Sequence, residues 1–411
     1  MCFKTKTICL FLLINLFGLS TELHLEKSNL ALLCNCNPNG KTIYLQTQNI
    51  TSIDPNTFQG LKNLTDLFLN ENNLTSIEVN TFQGLTSLKK LNLAQNEIAS
   101  IDSTLFQGLN LDFVYLNNNK LTSISSNLFQ SLTNIQRIDL SSNQISSIEP
   151  TLFKGLSKLL TLSLANNNLK LLDSKTFQGL TSLTFLFLTN NQISTIDQFL
   201  FQDLTGLYEL DLSNNHLAQI STRLFQRLTN LGRLNLSKNR LETIKPTYFE
   251  GLTNLFLLNL RENQIKTIEQ DVFKPLINLY QLFLDSNYIS GIDSKMFTGL
   301  ASLKDLNLAL NQIQSIESNL FISLHNLTLI NFNGNKIVSI FKNSFNGLFK
   351  IEKINMENNK IVSFDRHSLN DLKNLKALCL FKNPIAESFP TYFENICQNN
   401  TECFVFINKE C

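Results

Sequence analysis

The functional group that recurs most regularly in this sequence is a side-chain amide. Asn72, Asn96, Asn119, Asn143, Asn167, Asn191, Asn215, Asn239, Asn263, Asn287, Asn311, Asn335 and Asn359 follow one another at steps of 24 residues, with a single step of 23. Gln48 and Asn383 extend the series at its two ends. An amide offers one acceptor oxygen and two N–H donors, so it can satisfy backbone groups of its own repeat and the next where the chain turns inward. That is structural chemistry. Groups suited to catalysis are not arranged: His24, His216, His325 and His367 are scattered, without metal-ligand spacing or a partner cysteine nucleophile. No glycine loop that could cradle a phosphate is present either. The sequence therefore points away from an enzyme, a cofactor or a bound metal.

Cysteine chemistry gathers near the chain ends. Cys34 and Cys36 precede the repeats, and Cys379, Cys397, Cys403 and Cys411 follow or close them. In an exported chain, four cysteines at one edge read as a disulfide-stapled cap, with three pairings open. Six Asn-x-Ser/Thr sequons, at Asn49, Asn63, Asn73, Asn235, Asn326 and Asn399, are candidate glycosylation acceptors. The repeat itself generates Asn-Leu-Thr and Asn-Leu-Ser, so each sequon also has a purely structural origin.

The elements that place these groups are short and uniform. Around each Asn the pattern is L-x-x-L-x-L-x-x-N-x-(L/I)-x-x-I-x-x-x-x-F-x-x-L, as in Leu183, Leu186, Leu188, Asn191, Ile193, Ile196, Phe201 and Leu204. In the L-x-L stretch Leu186 and Leu188 point to one face, and Phe185 and Phe187 to the other. One strand so short cannot bury its apolar face alone, so the coils must stack with their strands in a parallel sheet. A second column, from Phe58, Phe82, Phe106 and Phe129 to Phe345 and ending in Leu369, predicts a spine of rings filling the convex side. Ahead of it Asp54, Glu78, Asp102, Ser125, Glu149, Asp173 and Asp197 open the convex turn, with Pro55, Pro150 and Pro246 one position later in their coils. A capping residue followed by Pro predicts a short helical or 3₁₀ segment there. The fold expected is an α/β solenoid: a concave parallel β-sheet, short helical or 3₁₀ segments on the convex side, and cysteine-containing caps.

Residues 1–20 read as a secretory signal, with Lys4 and Lys6 at the basic end and Ile8 to Leu19 as the apolar core. That core is too short for a bilayer span of about 20 residues. Residues 21–40 then form an N-terminal cap, 41–384 the repeat array and 385–411 a C-terminal cap, with Leu378-Cys379-Leu380 as the last strand. No linker interrupts the array, which is read as one domain. Gly108-Leu109-Asn110-Leu111 is one residue short, and a local tightening is expected there. Loss of the leader takes the net charge from +1 to −1, which argues against nucleic acid as the main partner.

These repeats resemble the 24-residue typical class of extracellular leucine-rich repeats, as in Slit, Toll-type receptor ectodomains, small leucine-rich proteoglycans and the variable lymphocyte receptors. The resemblance runs from Lys41 to Pro384. It implies a horseshoe with a right-handed arc, and binding of a ligand, usually a protein, on the concave face or a flank. The chain departs from the family in having two cysteines in the N-terminal cap rather than four, and no C-x-C after Asn383-Pro384.

Outward strand positions are where a ligand would meet the sheet. Most are small or polar, so large side chains there need a reason other than the core. Phe113, Tyr115, Phe185 and Phe187 stand out, with Phe68, Tyr208, Phe256, Leu257, Tyr280 and Phe283 also large. Lateral stacking between strands is one reading of these rings, and anchoring of a ligand the other. Phe113/Tyr115 and Phe185/Phe187 are three coils apart, roughly 14 Å at a strand spacing of about 4.8 Å. With Arg137 and Asp139 between them they define the favoured ligand-binding patch, away from a glycan at Asn235. Three functions fit: a secreted protein that binds an extracellular protein (or glycan), a structural matrix protein, or a soluble or truncated receptor ectodomain. The leading expectation is the first.

Overall fold

Each coil opens with a strand of three residues, because only the L-x-L segment carries the alternation a sheet requires. The computed structural model describes residues 23–34, 40–385 and 404–406. The chain forms two compact units, one ending at Ile145 and the other beginning at Ser146. In the N-terminal unit, strands Thr42–Tyr44, Asp66–Phe68, Lys90–Asn92, Phe113–Tyr115 and Arg137–Asp139 pair in parallel, residue opposite residue. Their central residues Ile43, Leu67, Leu91, Val114 and Ile138 are fully buried. The 23-residue step is absorbed before the strand, since Lys90 still faces Phe113 in register.

The C-terminal unit repeats the arrangement from Thr161–Ser163 to Ala377–Cys379. Its sheet does not end where the sequence predicts. Phe404–Phe406 adds one more parallel strand beyond Ala377–Cys379, placing Phe406 opposite Cys379. The period is lost after Pro384, but Phe404-Val405-Phe406 carries its own alternation and can still extend the ladder.

The amide series is a hydrogen-bonded ladder, although its direction differs from the expected one. Asn191 Nδ2 donates to the carbonyls of Leu188 and Thr189 in its own coil, and to that of Leu164 in the preceding one. Its Oδ1 accepts from the N–H of Leu169, again in the preceding coil. The side chain therefore reaches back, not forward. Asn96 does the same with Leu93, Ala94, Leu69 and Leu74. The asparagines of the series are all buried, as a turn inward from a strand demands if its carbonyls are not to be orphaned, and Gln48 at its start is half-buried.

The phenylalanine spine is present in both units. Phe58 stacks on Phe82 at 6.2 Å, and Phe177 lies 6.3 Å from both Phe153 and Phe201. Leu369, in the last such slot, is only half-buried. Convex turns are closed by the carboxylates named above: Asp54, Asp102, Asp173 and Asp197 each accept from the N–H two residues on. Only some of these turns tighten into 3₁₀ segments among the described residues: Pro246–Tyr248, Ser294–Phe297 and Arg366–Leu369.

At the N-terminal edge, Leu23–Leu25 pairs with Ile50–Ile53, and helix Lys27–Leu33 follows. Asn29 caps this helix by accepting from the Glu26 N–H. Cys34 and Cys379 are both disulfide-bonded. The other cysteines, Asn399 and the leader with its cleavage point lie outside the described residues. No helix among the described residues is long and apolar enough to cross a membrane.

Candidate functional site

Because the inward residues of every strand are spent on the core, chemistry at this sheet lies with the outward ones. In the N-terminal unit these residues form a chain of rings and cations. Tyr44 stacks on Phe68 at 5.1 Å, nearly parallel. The Lys90 ammonium then lies 5.8 Å from the Phe68 ring and 5.5 Å from that of Phe113, linking two rings by one charge. The Arg137 guanidinium lies 5.4 Å from the Tyr115 ring and 3.6 Å from Asp139. Its Nε is enclosed without a hydrogen-bond partner. Asp139 is also tied to its own coil, accepting from the N–H and hydroxyl of Ser141. Four of the six expected patch residues are thus placed: Phe113 with Lys90, and Tyr115 with Arg137 and Asp139.

The other two, Phe185 and Phe187, belong to the C-terminal unit and are half-buried. Phe185 meets Tyr208 edge-on at 6.2 Å, and Tyr208 meets Phe256 at 6.2 Å. Tyr208 and Phe256 are two coils apart, and their contact passes over Gly232. A Cβ on Gly232 would lie 2.7 Å from Tyr208 Cε2 and 3.1 Å from Phe256 Cε1. The missing side chain is what lets the rings meet. Arg233 covers Phe256 at 5.0 Å, and Lys304 covers Tyr280 at 4.9 Å. Tyr208 and Tyr280 remain 39% and 44% exposed.

The favoured patch therefore names the rings but omits Lys90, Gly232, Arg233 and Lys304. One signal was available. Read down the slot just before each strand, Tyr208, Gly232, Phe256 and Tyr280 form a column of rings broken by a single glycine. Ser163, an outward residue of the strand Thr161–Ser163, is buried.

Charge on this sheet is nearly all paired or solvated. Burial pushes the carboxyls of Asp285 and Asp305 above the usual range, opposed at Asp285 by the Arg261 guanidinium 3.0 Å away. Of the sequons, Asn49, Asn63 and Asn73 are exposed. The Asn235 amide is engaged with Asp211 and Ser237, and that of Asn326 with the Ala301 carbonyl and Lys350. Among the described residues no group of three His, Cys, Asp or Glu side chains converges as a metal site would need.

The Leucine rich repeat profile matches seven overlapping segments, 38–98, 86–145, 133–193, 186–241, 229–287, 277–337 and 326–385. No curated protein matches the chain in sequence. Among solved structures, a leucine-rich repeat protein of Leptospira interrogans is 27% identical over 94% of this chain and all of its own length, with a TM-score of 0.71. Toll, in the Toll–Spatzle complex of Drosophila, is 25% identical with a TM-score of 0.65. The match to Toll covers 82% of this chain and 46% of that one. The complex of TLR13 with a single-stranded RNA shares the fold, at 20% identity, 89% and 77% coverage, and a TM-score of 0.57. That neighbour is in complex with RNA, so the fold by itself leaves the expected exclusion of nucleic acid without support.

Proposed function

The chain belongs to the leucine-rich repeat family, and from that premise we propose that it is a secreted binding protein recognising an extracellular protein through the outward residues of its strands. The observation that carries this reading is the set of rings at positions the core does not use. Phe113 and Tyr115 are half-buried beside Lys90 and Arg137 in the N-terminal unit, and Phe185 and Phe187 are half-buried in the C-terminal unit, side chains of the kind that anchor an interface. The complex of Toll with Spatzle supports a ligand bound to this fold. Export rests on residues 1–20, and cleavage before Thr21 would be read by the intact mass of the secreted chain. Sugars at exposed Asn49, Asn63 and Asn73 and bridges among Cys379, Cys397, Cys403 and Cys411 belong to the same reading.

The test is capture of extracellular proteins by the mature chain, followed by the double variant Phe185→Ser/Phe187→Ser. Affinity for the captured protein should fall at least tenfold, about 1.4 kcal/mol. Unfolding should change little by comparison. A correctly folded variant with unchanged affinity would move the site to a flank or to the convex side.

A further inference from the structure

A second group of outward residues, in strands Leu257–Asn259, Gln281–Phe283, Asp305–Asn307 and Leu329–Asn331, has a different chemistry. In register across these strands lie Asn259, Phe283, Asn307 and Asn331. Each of the three asparagines is held in one orientation. Its Oδ1 accepts from the N–H two residues on, of Arg261, Ala309 and Asn333 respectively, at 3.0–3.1 Å. The Nδ2 groups take no protein acceptor, so three N–H₂ donors with fixed carbonyls flank one phenyl ring. Fixing them in advance lowers the entropy a ligand would otherwise lose in ordering them. The parallel row beside them contains Leu257, Gln281, Asp305 and Leu329. The half-buried Asp305 carboxylate accepts from Gln281 Nε2 through Oδ2 at 3.4 Å and has its other oxygen as an acceptor.

The composition selects the ligand. None of the outward positions within these four strands holds a lysine or arginine. Of the cations at their edges, Lys304 lies over the Tyr280 ring and Arg261 is paired with Glu262 and Asp285, so the two rows themselves offer no cation to phosphate or sulfate along a polyanion. Tyr, Trp and Arg, the usual anchors of a protein hot spot, are absent from these two rows, although Tyr280 stands directly before Gln281 under the Lys304 ammonium. What remains is a phenyl face, two leucines, the outward amide donors, Gln281 and one carboxylate acceptor. A neutral ligand that offers carbonyl and hydroxyl oxygens beside C–H surface meets all of these at once. The row from Asn259 to Asn331 covers three strand spacings, roughly 14 Å, which suits an oligomer more than a single ring.

We propose that these strands bind a neutral glycan built of N-acetylhexosamine units. Asn259, Asn307 and Asn331 donate to acetamido carbonyl and hydroxyl oxygens, Phe283 lies against a sugar face or an acetamido methyl, and Asp305 accepts from sugar hydroxyls. This site shares no residue with the protein-binding patch proposed above and stands or falls separately from it.

The test titrates the full secreted chain with chitohexaose, and with cellohexaose as the same backbone lacking the acetamido group. Saturable binding of chitohexaose, at least tenfold tighter than cellohexaose, is expected. The double variant Asn307→Asp/Asn331→Asp keeps the shape and the oxygen that accepts from Ala309 and Asn333, but replaces two outward donors with acceptors. It should weaken chitohexaose at least tenfold with an unchanged unfolding midpoint. Should that variant lose its fold, Phe283→Ala provides the second reading, with the same loss expected. Failure of chitohexaose to bind, binding untouched by these variants, or equal affinity for both sugars would overturn the proposal. Retention of a captured protein by the Asp variants would leave the Phe185/Phe187 reading intact.

Discussion

The two units use one scaffold to present two different surfaces. Both have the amide ladder, both have the ring spine, and in both the strands pair residue opposite residue. On the outward face of the N-terminal unit, cations separate the rings beyond the stacked pair Tyr44 and Phe68: Lys90 stands between Phe68 and Phe113, and Arg137 beside Tyr115. On that of the C-terminal unit, ring meets ring, from Phe185 through Tyr208 to Phe256. The repeat dictates where an outward slot lies and leaves its occupant free. Neighbouring occupants then decide whether a surface is a mosaic of charges or a continuous apolar strip.

That division between scaffold and surface is best broken where the scaffold is strongest. Phe177→Ala removes a fully buried ring between Phe153 and Phe201 and should cost about 3–5 kcal/mol, because the spine cannot close over the void. Phe82→Ala in the N-terminal unit should cost a similar amount. Chemical denaturation of both variants measures it, and parental stability in either would show that the inward register is misassigned.

Asn191→Ala comes next. It leaves the Leu169 N–H without its partner, at roughly 1–3 kcal/mol for a buried group left unpaired. The Leu164 and Leu188 carbonyls each lose one of two amide donors and keep those of Asn167 and Asn215. Water entering from the rim should hold the total below that of the ring deletion. Hydrogen exchange should quicken at Leu169, in the preceding coil, because the side chain reaches backward. Exchange quickening only in the following coil would contradict the ladder's direction.

These scaffold residues were legible in the sequence because each satisfies a demand of a single coil repeated many times. A column of Asn or Phe needs no knowledge of neighbours to be read. Direction is another matter: Asn191 could have satisfied the coil on either side, and only the stacked backbone shows that Leu164 and Leu169 are its partners. The helix Lys27–Leu33 and the strand Phe404–Phe406 lie off the period, so the repeat pattern said nothing of them. Ring contacts on the face were equally hidden. Phe185 and Phe187 are visible as outward rings, yet the partner of Phe185 is Tyr208 in the next coil. The continuation to Phe256 depends on an empty position at Gly232.

Acid and base should separate the surfaces more weakly. Asp285 is 6% exposed, and burial raises its carboxyl pKa despite Arg261. A raised folded-state value means its contribution to stability is full below the ordinary carboxylate range and is lost as pH climbs through the raised value. Asp285→Asn removes that ionisation while keeping an oxygen for Arg261. The urea midpoint of the variant should therefore gain on the parent as pH rises from the acid side toward neutrality. Curves that stay parallel would assign the burial of Asp285 no energetic role. In the N-terminal unit Asp102 is shifted the opposite way, lowered by the hydroxyl and N–H of Thr104, so its contribution is lost as pH falls.

The smallest effect on stability should come from Gly232→Ala, and it bears most directly on the contrast between the faces. Ala at this position restricts the unfolded chain, which by itself stabilises by about 0.4–1 kcal/mol where the backbone permits it. Against that, the new methyl would fall 2.7 Å from Tyr208 Cε2 and 3.1 Å from Phe256 Cε1. Both atoms belong to half-exposed rings that can swing toward solvent, so the clash should be relieved by rotation, not by unfolding. Losing the ring pair offsets the entropy gain with roughly 0.5–1.5 kcal/mol. The net change should be within about 1 kcal/mol of zero by the same reckoning. The surface, however, should change: near-ultraviolet circular dichroism should lose intensity from Tyr208, and the strip should break between Tyr208 and Phe256, setting those rings apart as Phe68 and Phe113 are in the N-terminal unit. An unaltered tyrosine signal would mean that the rings do not depend on the glycine. The continuous strip would then owe its existence to Arg233 holding Phe256 from the other side.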